Sequence, residues 1–251
     1  MEKIKFVLYR VLTVRLDLLI LFFIAAMSIF LYDFWLINIP EWFSGASIVG
    51  ATYYKICFAY ITGFIFFFVN VHLQSYKLKV KTFRYVNNKT LAIKNYSFHL
   101  LRALQLASSN HVISPDDSQT KTLAILCHNI NPNNPLTYGQ KGIVIRDWYS
   151  CFKLIDEETK SLIKDLFSIK DALDTEFLRI LTNIDDTLDN HINFTKGYKI
   201  GNKNLDAWAS SINDYIDLCN ELISHLKGSY KMYQAEYHYL ERKRRQELKN
   251  K

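Results

Sequence analysis

Turn-forming residues and cysteine are scarce in this chain. It has only eight Gly and four Pro in 251 residues, which argues against a turn-rich β fold and favours helices. The four cysteines are Cys57, Cys127, Cys151 and Cys219, and none are spaced as a metal or redox pair. The pattern is therefore not a disulfide framework, and it fits a reducing compartment.

Recognisable catalytic motifs are missing as well. The sequence has no phosphate-binding P-loop, no dinucleotide-binding glycine motif, no G-x-S-x-G, no H-E-x-x-H and no cluster with zinc-ligand spacing. Arg102 and His111 are farther apart than the Arg and His of an all-helical HEPN-type ribonuclease. We predict no catalytic residues, no metal site and no cofactor, and a membrane-bound nuclease is a minor alternative.

The sequence has two long apolar runs instead. Leu16 to Asn38 and Ile56 to Leu73 each approach the roughly 20 residues that a helix needs to cross a bilayer. Unpaired backbone groups are costly in hydrocarbon, so both runs should be helical. We predict an all-α fold with a transmembrane hairpin in residues 1–74, its spans at about 16–38 and 55–73. A buried hairpin of a soluble core and a cleavable signal peptide are weaker alternatives.

The charges that flank these runs predict their orientation. Four cations precede the first run and six follow the second, whereas the loop between them has Glu41 and, at its far edge, Lys55. These cations are Lys3, Lys5, Arg10 and Arg15, then Lys77, Lys79, Lys81, Arg84, Lys89 and Lys94. The positive-inside rule places both termini in the cytoplasm. We expect a multi-pass protein of the bacterial inner (plasma) membrane.

A few polar or small residues interrupt the apolar runs. Asp33 and Lys55 are at similar predicted depths and would form an ion pair that sets the hairpin register, and Asn70 and His72 would line a polar path in an oligomer. Ala59 and Gly63 form a small-xxx-small pair that permits close helix approach. The alternative is that the polar groups are interfacial and reach water.

Residues 75–251 are predicted to form a cytoplasmic helical domain. A helix after the second span buries Leu91, Phe98, Leu101, Leu104 and Leu106, with a break at Asn87-Asn88 as an alternative. Ser114 begins a helix that ends at His128, and the loop 129–142 follows. Residues 143–145 are either a strand or the approach to a helix near Arg146, and we favour the helix because no partner strand is evident.

Two long helices complete this domain. Asp156 caps a helix with an apolar stripe from Leu162 to Leu188, and Asn204 caps a helix with a stripe from Leu205 to Leu240. A short loop joins them, so we predict an antiparallel pair. An intermolecular coiled coil is the alternative, because the second stripe has a repeat near 3.5 residues.

The formal net charge of +7 is unevenly distributed. Residues 156–191 carry a net charge of −6, and cations are concentrated after the second span and at the end of the chain. We predict contacts with anionic lipid or an acidic partner at Lys77, Lys79, Lys81, Arg84, Arg242, Lys243, Arg244 and Arg245. For the run at the end of the chain, a solvated helix end is the alternative to such contacts, and direct nucleic-acid binding is a less favoured one.

The layout of the whole chain resembles the two-transmembrane effector proteins of bacterial antiphage systems, including retron-associated ones. This resemblance implies an effector that is held inactive by a regulatory protein or ribonucleoprotein. On release it would oligomerise in the lipid bilayer and damage the membrane. The alternative function is a non-toxic membrane-anchored scaffold that recruits a cytoplasmic partner.

Overall fold

The computed structural model describes residues 2–35, 39–40, 43–108, 119–193 and 201–249, and these residues are mostly helical. The all-α class is therefore confirmed, with one two-stranded antiparallel sheet added. The helices are α1 (Glu2–Leu12), α2 (Leu16–Phe34), α3 (Ala46–Phe67), α4 (Leu73–Ala107), α5 (Gln119–His128), α6 (Trp148–Phe167), α7 (Thr175–Asn193), α8 (Ala209–Ser229) and α9 (Lys231–Lys249). The strands are β1 (Leu136–Tyr138) and β2 (Ile143–Ile145).

Contacts divide the chain into two compact units. The first unit contains Met1–Lys81 and Ala235–Lys251, and the second contains Thr82–Gln234. The division falls within α4 and within α9. The predicted boundary at residue 75 between a membrane part and a cytoplasmic part stays a prediction.

Two helices of the first unit are long and apolar enough to cross a membrane. One is Leu16–Phe34, and the other lies within the continuous helical stretch Ala46–Ala107. Only 6% of the residues in the most apolar window of each helix are buried. Helices that formed the core of a soluble domain would be mostly covered by protein.

The second unit has a dense core. Trp148 and Cys151 on α6, Phe177 on α7 and Tyr215 on α8 are fully or almost fully buried. Helix α4 joins this core through Ile93 and Leu104, which are also buried. Most of the unit's apolar side chains thus face one another.

The two predicted long helices of the second unit are each divided. Asp147, not Asp156, caps α6, and its side chain accepts a hydrogen bond from the backbone N–H of Ser150 at 2.8 Å. A short 3₁₀ turn, Lys170–Ala172, separates α6 from α7. The second predicted helix is interrupted at Tyr230, between α8 and α9. The apolar stripe continues through the first interruption, so periodicity did not reveal it. The second interruption lies at Tyr230, where the alternation of the stripe takes one extra step.

The predicted helix start at Ser114 lies outside the described residues. Helix α4 is continuous through Asn87-Asn88, so the alternative of a break there is wrong. Asn204 begins a turn, in which its side-chain oxygen accepts a hydrogen bond from the backbone N–H of Asp206.

The helix predicted near Arg146 is confirmed as α6, which begins at Trp148. The rejection of a strand at residues 143–145 is wrong. Ile143–Ile145 pairs antiparallel with Leu136–Tyr138, in the register Thr137↔Val144. Gly139 and Gly142 have φ angles of 75° and 63°, which favour glycine and let the chain reverse between the strands. The partner strand was concealed within the loop predicted for residues 129–142.

Three of the predicted buried residues of α4 are exposed. Leu91, Phe98 and Leu106 point to solvent, whereas Leu104 is buried as predicted. Thr90 and Ser97 occupy the buried phase instead. Because polar residues stand at core positions and apolar residues at exposed positions, hydrophobicity gave the wrong face.

Candidate functional site

The interface between α2 and α3 is narrow. Ala25 on α2 and Cys57 on α3 are the buried residues that these two helices contribute. The helices run in opposite directions, since Tyr60 on α3 donates its hydroxyl to the Leu18 carbonyl at 3.0 Å near one end, and Tyr32 packs on Tyr54 near the other. Within the part of the chain that the structure describes, most apolar side chains of this pair are exposed.

The predicted ion pair between Asp33 and Lys55 does not form. Both side chains are exposed, and no ion pair joins them among the residues that the structure describes. Tyr32 faces Gly50, where an added Cβ atom would lie 3.0 Å from its ring. Lys55 is five positions farther along α3, about 7.5 Å of helix rise, so the two charges are at different levels.

Ala59 and Gly63 lie on an exposed face of α3. A Cβ atom added at Gly63 would meet no atom within 4 Å, so this glycine is not needed for packing on α2. Six exposed positions of α3 and its continuation follow one another in steps of four and three. They are Thr52, Ile56, Ala59, Gly63, Phe66 and Asn70, the α3 stripe.

A π-helical turn, Phe68–His72, connects α3 to α4. In it the backbone N–H of Leu73 donates to the carbonyl of Phe68, one residue beyond the usual α-helical acceptor. Asn70 is exposed and donates its side-chain amide to the Phe66 carbonyl at 3.1 Å. This local bond satisfies part of the hydrogen-bonding capacity of Asn70, which lies within an apolar stretch.

The His72 side chain is held by a hydrogen bond within the chain and is not freely exposed. Its Nε2–H donates to the backbone carbonyl of Arg10 at 2.8 Å. This carbonyl lies in the last turn of α1, where helix carbonyls lack intrahelical partners. Asn70 and His72 therefore have separate environments, and the predicted polar path through both stays a prediction for an oligomer.

Helix α1 was missed by the sequence interpretation. It is strongly amphipathic: Phe6 is buried, whereas Ile4 is 74% exposed and Leu8 and Leu12 are more than half exposed. Its eleven residues carry several charges and are too short for a span. The signal was the recurrence of apolar residues at positions 4, 8 and 12.

Two contacts hold α1 against the last part of α9. The rings of Phe6 and Tyr239 are 4.8 Å apart, and Arg10 Nη2 lies 2.5 Å from Glu236 Oε1. Glu236 is 4% exposed, and its second carboxylate oxygen has no hydrogen-bond partner in the described chain. We call Arg10, Glu236, Phe6 and Tyr239 the clasp. A cavity of about 270 Å³ adjoins it.

The predicted lipid-contact cations are mostly exposed. Lys77, Lys81 and Arg84 on α4 are exposed, whereas Lys79 is half-buried. On α9, Arg242 and Arg244 are exposed, Lys243 lies 3.7 Å from Glu247, and Arg245 lies 3.8 Å from Glu241. Such exposed i,i+4 pairs are weak, so the run keeps its positive character.

One polar cluster in the second unit has the order of a hydrolase triad. Ser229 Oγ is 3.4 Å from His225 Nδ1, and His225 Nε2 is 2.9 Å from Asp174 Oδ1. Ser229 is the last residue of α8, however, and a helix C-terminus presents carbonyls, which are the wrong groups to stabilise an oxyanion. The cluster lacks the geometry for acyl transfer.

Asp174 has a structural role in this cluster. Its carboxylate accepts a hydrogen bond from the backbone N–H of Phe177 at 2.8 Å, and its own N–H donates to the Tyr230 hydroxyl. Burial acts to raise the pKa of Asp174, but the Phe177 N–H and the His225 ring hold that pKa below its ordinary value. The cluster thus fixes the start of α7 against the end of α8.

The cysteines of the second unit are poor nucleophiles. Burial raises the pKa of Cys127, Cys151 and Cys219 to about 12 in each case. Reaction requires the thiolate, which is a very small fraction at neutral pH. Among the described residues, no three His, Cys, Asp or Glu side chains are arranged to hold a metal ion.

An acidic groove lies between α7 and α8. Its volume is about 500 Å³, and Asp186, Asp214, Asp217 and Glu221 are among its lining residues. Arg179 neutralises part of the groove's negative charge by pairing with Glu221 at 2.6 Å. The groove is open and polar, unlike the uncovered apolar faces of α2 and α3.

Comparisons with known proteins give no family for this chain. No family model, no curated protein and no solved structure matches it.

Proposed function

We propose that the chain is a bacterial inner-membrane effector, of antiphage defence, that oligomerises and permeabilises the membrane when triggered. In this proposal α2 and α3 form the transmembrane hairpin, and both termini lie in the cytoplasm. The observation that carries it is the 6% burial of the apolar windows in both helices. Exposed aliphatic and aromatic side chains on that scale need a covering of lipid or of other copies.

The α3 stripe supports assembly between copies. Its positions alternate by four and three residues, the repeat of a helix seam, and its centre is Ala59 and Gly63. Small residues let membrane helices approach closely, and Thr52 and Asn70 add polar groups along the same face. Two helices per chain cannot enclose a wide pore, so permeabilisation requires several copies.

The second unit would control this assembly. In the proposal, a regulatory protein or a ribonucleoprotein holds the effector inactive, and release allows α3 stripes to meet. Its own acidic and basic surfaces offer a second means of restraint through pairing between chains. The membrane helices then carry out the damage.

The test is induced expression in a bacterial host, with a membrane-potential dye and colony counts. We expect rapid depolarisation before viability falls. Gly63→Leu should abolish depolarisation because it enlarges the centre of the stripe. The protein level should be unchanged, because a Cβ atom added at Gly63 meets no atom of the described residues within 4 Å. Asp33→Lys should act in the same direction, because a cation would replace an anion near the predicted outer interface.

Two matched variants make this test specific. Thr62→Leu changes the neighbouring exposed position of α3, outside the stripe, and should leave depolarisation intact. Gly50→Leu drives a side chain into Tyr32 and should disturb the α2–α3 pair itself. Full depolarisation by Gly63→Leu would exclude the stripe as the assembly surface.

The alternative function is a non-toxic membrane-anchored scaffold. The acidic groove favours it, because a basic segment of a partner protein could bind there. The experiment that separates the two functions exchanges residues 1–74 for an unrelated transmembrane hairpin. A scaffold would keep its partner and its activity after the exchange. An effector that acts through α2 and α3 would lose the ability to depolarise cells.

A further inference from the structure

Helix α1 has an apolar face that the described protein leaves uncovered. Ile4 is 74% exposed, Val7 57%, Leu8 54% and Leu12 55%, and these residues share one side of the helix. The opposite side carries Phe6, which is buried. An isolated apolar strip on this scale indicates contact with an apolar medium.

The position of α1 in the chain indicates which medium that is. Helix α1 ends at Leu12, and α2, the first proposed span, begins at Leu16. Leu16 itself is 71% exposed and continues the apolar surface. An amphipathic helix joined directly to a span is held at the membrane–water interface, where its apolar side can enter the acyl boundary by about 5–10 Å.

The charges near α1 favour an anionic surface. Lys5 is exposed on the flank of the apolar strip, and Arg15 follows the helix, where it pairs with Asp17. Through the clasp, Glu236 and Tyr239 of α9 are fixed against α1, and the exposed cations Arg242 and Arg244 lie within two turns of Tyr239. Leu240 and Leu248 add exposed apolar area on α9.

We propose that α1 lies in the membrane interface and, with residues 236–249 of α9 clasped to it, forms a platform that binds anionic phospholipid. The exposed apolar side chains of α1 enter the upper acyl layer, and the exposed cations Lys5, Arg242 and Arg244 contact phosphate headgroups. Each cation near an anionic surface strengthens attachment to it. The platform rests on the proposed membrane anchoring by α2 and α3, but not on pore formation.

The test uses the full chain reconstituted into phosphatidylcholine vesicles, with and without phosphatidylglycerol. A bimane probe is attached at Leu8→Cys, and a matched probe at Lys5→Cys, which is exposed on the same helix but outside the apolar strip. A third probe at Ile24→Cys reports on α2. Wild-type protein provides the labelling background, since its cysteines are buried.

Quenching by lipid brominated high on the acyl chain separates the outcomes. We expect loss of most of the emission at position 8, little loss at position 5, and stronger quenching at position 8 when phosphatidylglycerol is present. Arg242→Gln combined with Arg244→Gln should remove that dependence on phosphatidylglycerol. Emission at position 8 that responds to aqueous iodide instead would overturn the platform.

Protection of position 8 from both quenchers would also overturn it, because the strip would then be covered by protein such as a second copy. The probe at position 24 distinguishes these failures from failure of the anchoring. Quenching by lipid at position 24 without quenching at position 8 removes only the platform. Absence of lipid quenching at both positions removes the membrane anchoring as well.

Discussion

The two units are both helical, yet they treat apolar side chains in opposite ways. In the first unit, α2 and α3 bury only Ala25 and Cys57 and leave Phe23 and Phe66 about two-thirds exposed. In the second unit, Phe177 and Trp148 have no exposed surface. The same residue type therefore stabilises the two units through different surroundings, protein in one and lipid, in our proposal, in the other.

Truncation of one phenylalanine in each unit tests this contrast with the largest expected effect. Phe177→Ala should lower the free energy of unfolding of the second unit by about 3–5 kcal/mol, because it leaves a cavity in a dense core. Phe23→Ala, which lies outside the α3 stripe, should change stability by about 0.5 kcal/mol or less, as expected for an exposed site. Urea unfolding in detergent, followed by circular dichroism, measures both. Equal losses would show that the two units bury their side chains alike.

The clasp is a place in the first unit where side chains are buried by protein, as in a soluble core. Glu236→Ala leaves Arg10 without its partner, and we expect a loss of about 3 kcal/mol, at the lower end for a buried pair because Arg10 is 31% exposed. Trypsin cleavage after Arg10 should accelerate as α1 detaches. The double variant Arg10→Met with Glu236→Leu should recover most of the stability. Slow cleavage in the single variant would contradict a holding role for the pair.

The stability of the second unit should fall at acidic pH as Asp174 becomes protonated. Because the pKa of Asp174 is lowered in the folded state, its contribution to stability is present above its unfolded pKa of about 3.9 and is lost as the pH falls through the folded value. Asp174→Asn should therefore flatten the acid limb of stability against pH. The urea midpoint of the second unit between neutral and strongly acidic pH measures this. An unchanged acid limb would show that other carboxylates dominate it.

The smallest effect is expected at the surface of the second unit. Arg179 donates to Glu176 at 2.7 Å and to Glu221 at 2.6 Å, but all three side chains are about half exposed. Solvent screens such pairs, so Arg179→Ala should leave the urea midpoint nearly unchanged. A large fall in the urea midpoint would mean that the pairing of Arg179 with the acidic groove contributes to folding stability.

Features that depend on the composition of a local stretch, such as long apolar helices, were predicted well from the sequence. Two long apolar runs gave the two helices that are long and apolar enough to cross a membrane, because length and hydrophobicity suffice for that. Features that depend on three-dimensional partners were missed. Leu91 and Phe98 are apolar yet exposed, and the strand at Ile143 has a partner that its own residues do not reveal. The pairing of Asp33 with Lys55 failed because α3 begins at Ala46, earlier than the predicted residue 55.

The candidate site was predicted only in part. Cations and small residues were located because their residue types are visible in the sequence. The clasp was not predicted, because Arg10 and Glu236 are at opposite ends of the chain and no local pattern links them. The amphipathic α1 was hidden because its cations were interpreted as flanking charges of the first span.

The π-helical turn at Phe68–His72 makes the number of residues in this segment as important as their identity. One surplus residue is stored there within an otherwise continuous helix. Deletion of a single residue such as Asn70 would restore an ordinary helix with little rotation of α4, because the π turn already absorbs that residue. Insertion of one residue ahead of His72 would instead rotate the start of α4 by about 100° relative to α3. His72 would then leave the Arg10 carbonyl without any side chain being altered. Single-residue insertions, rather than deletions or substitutions, are the mutations to which this junction should be most sensitive.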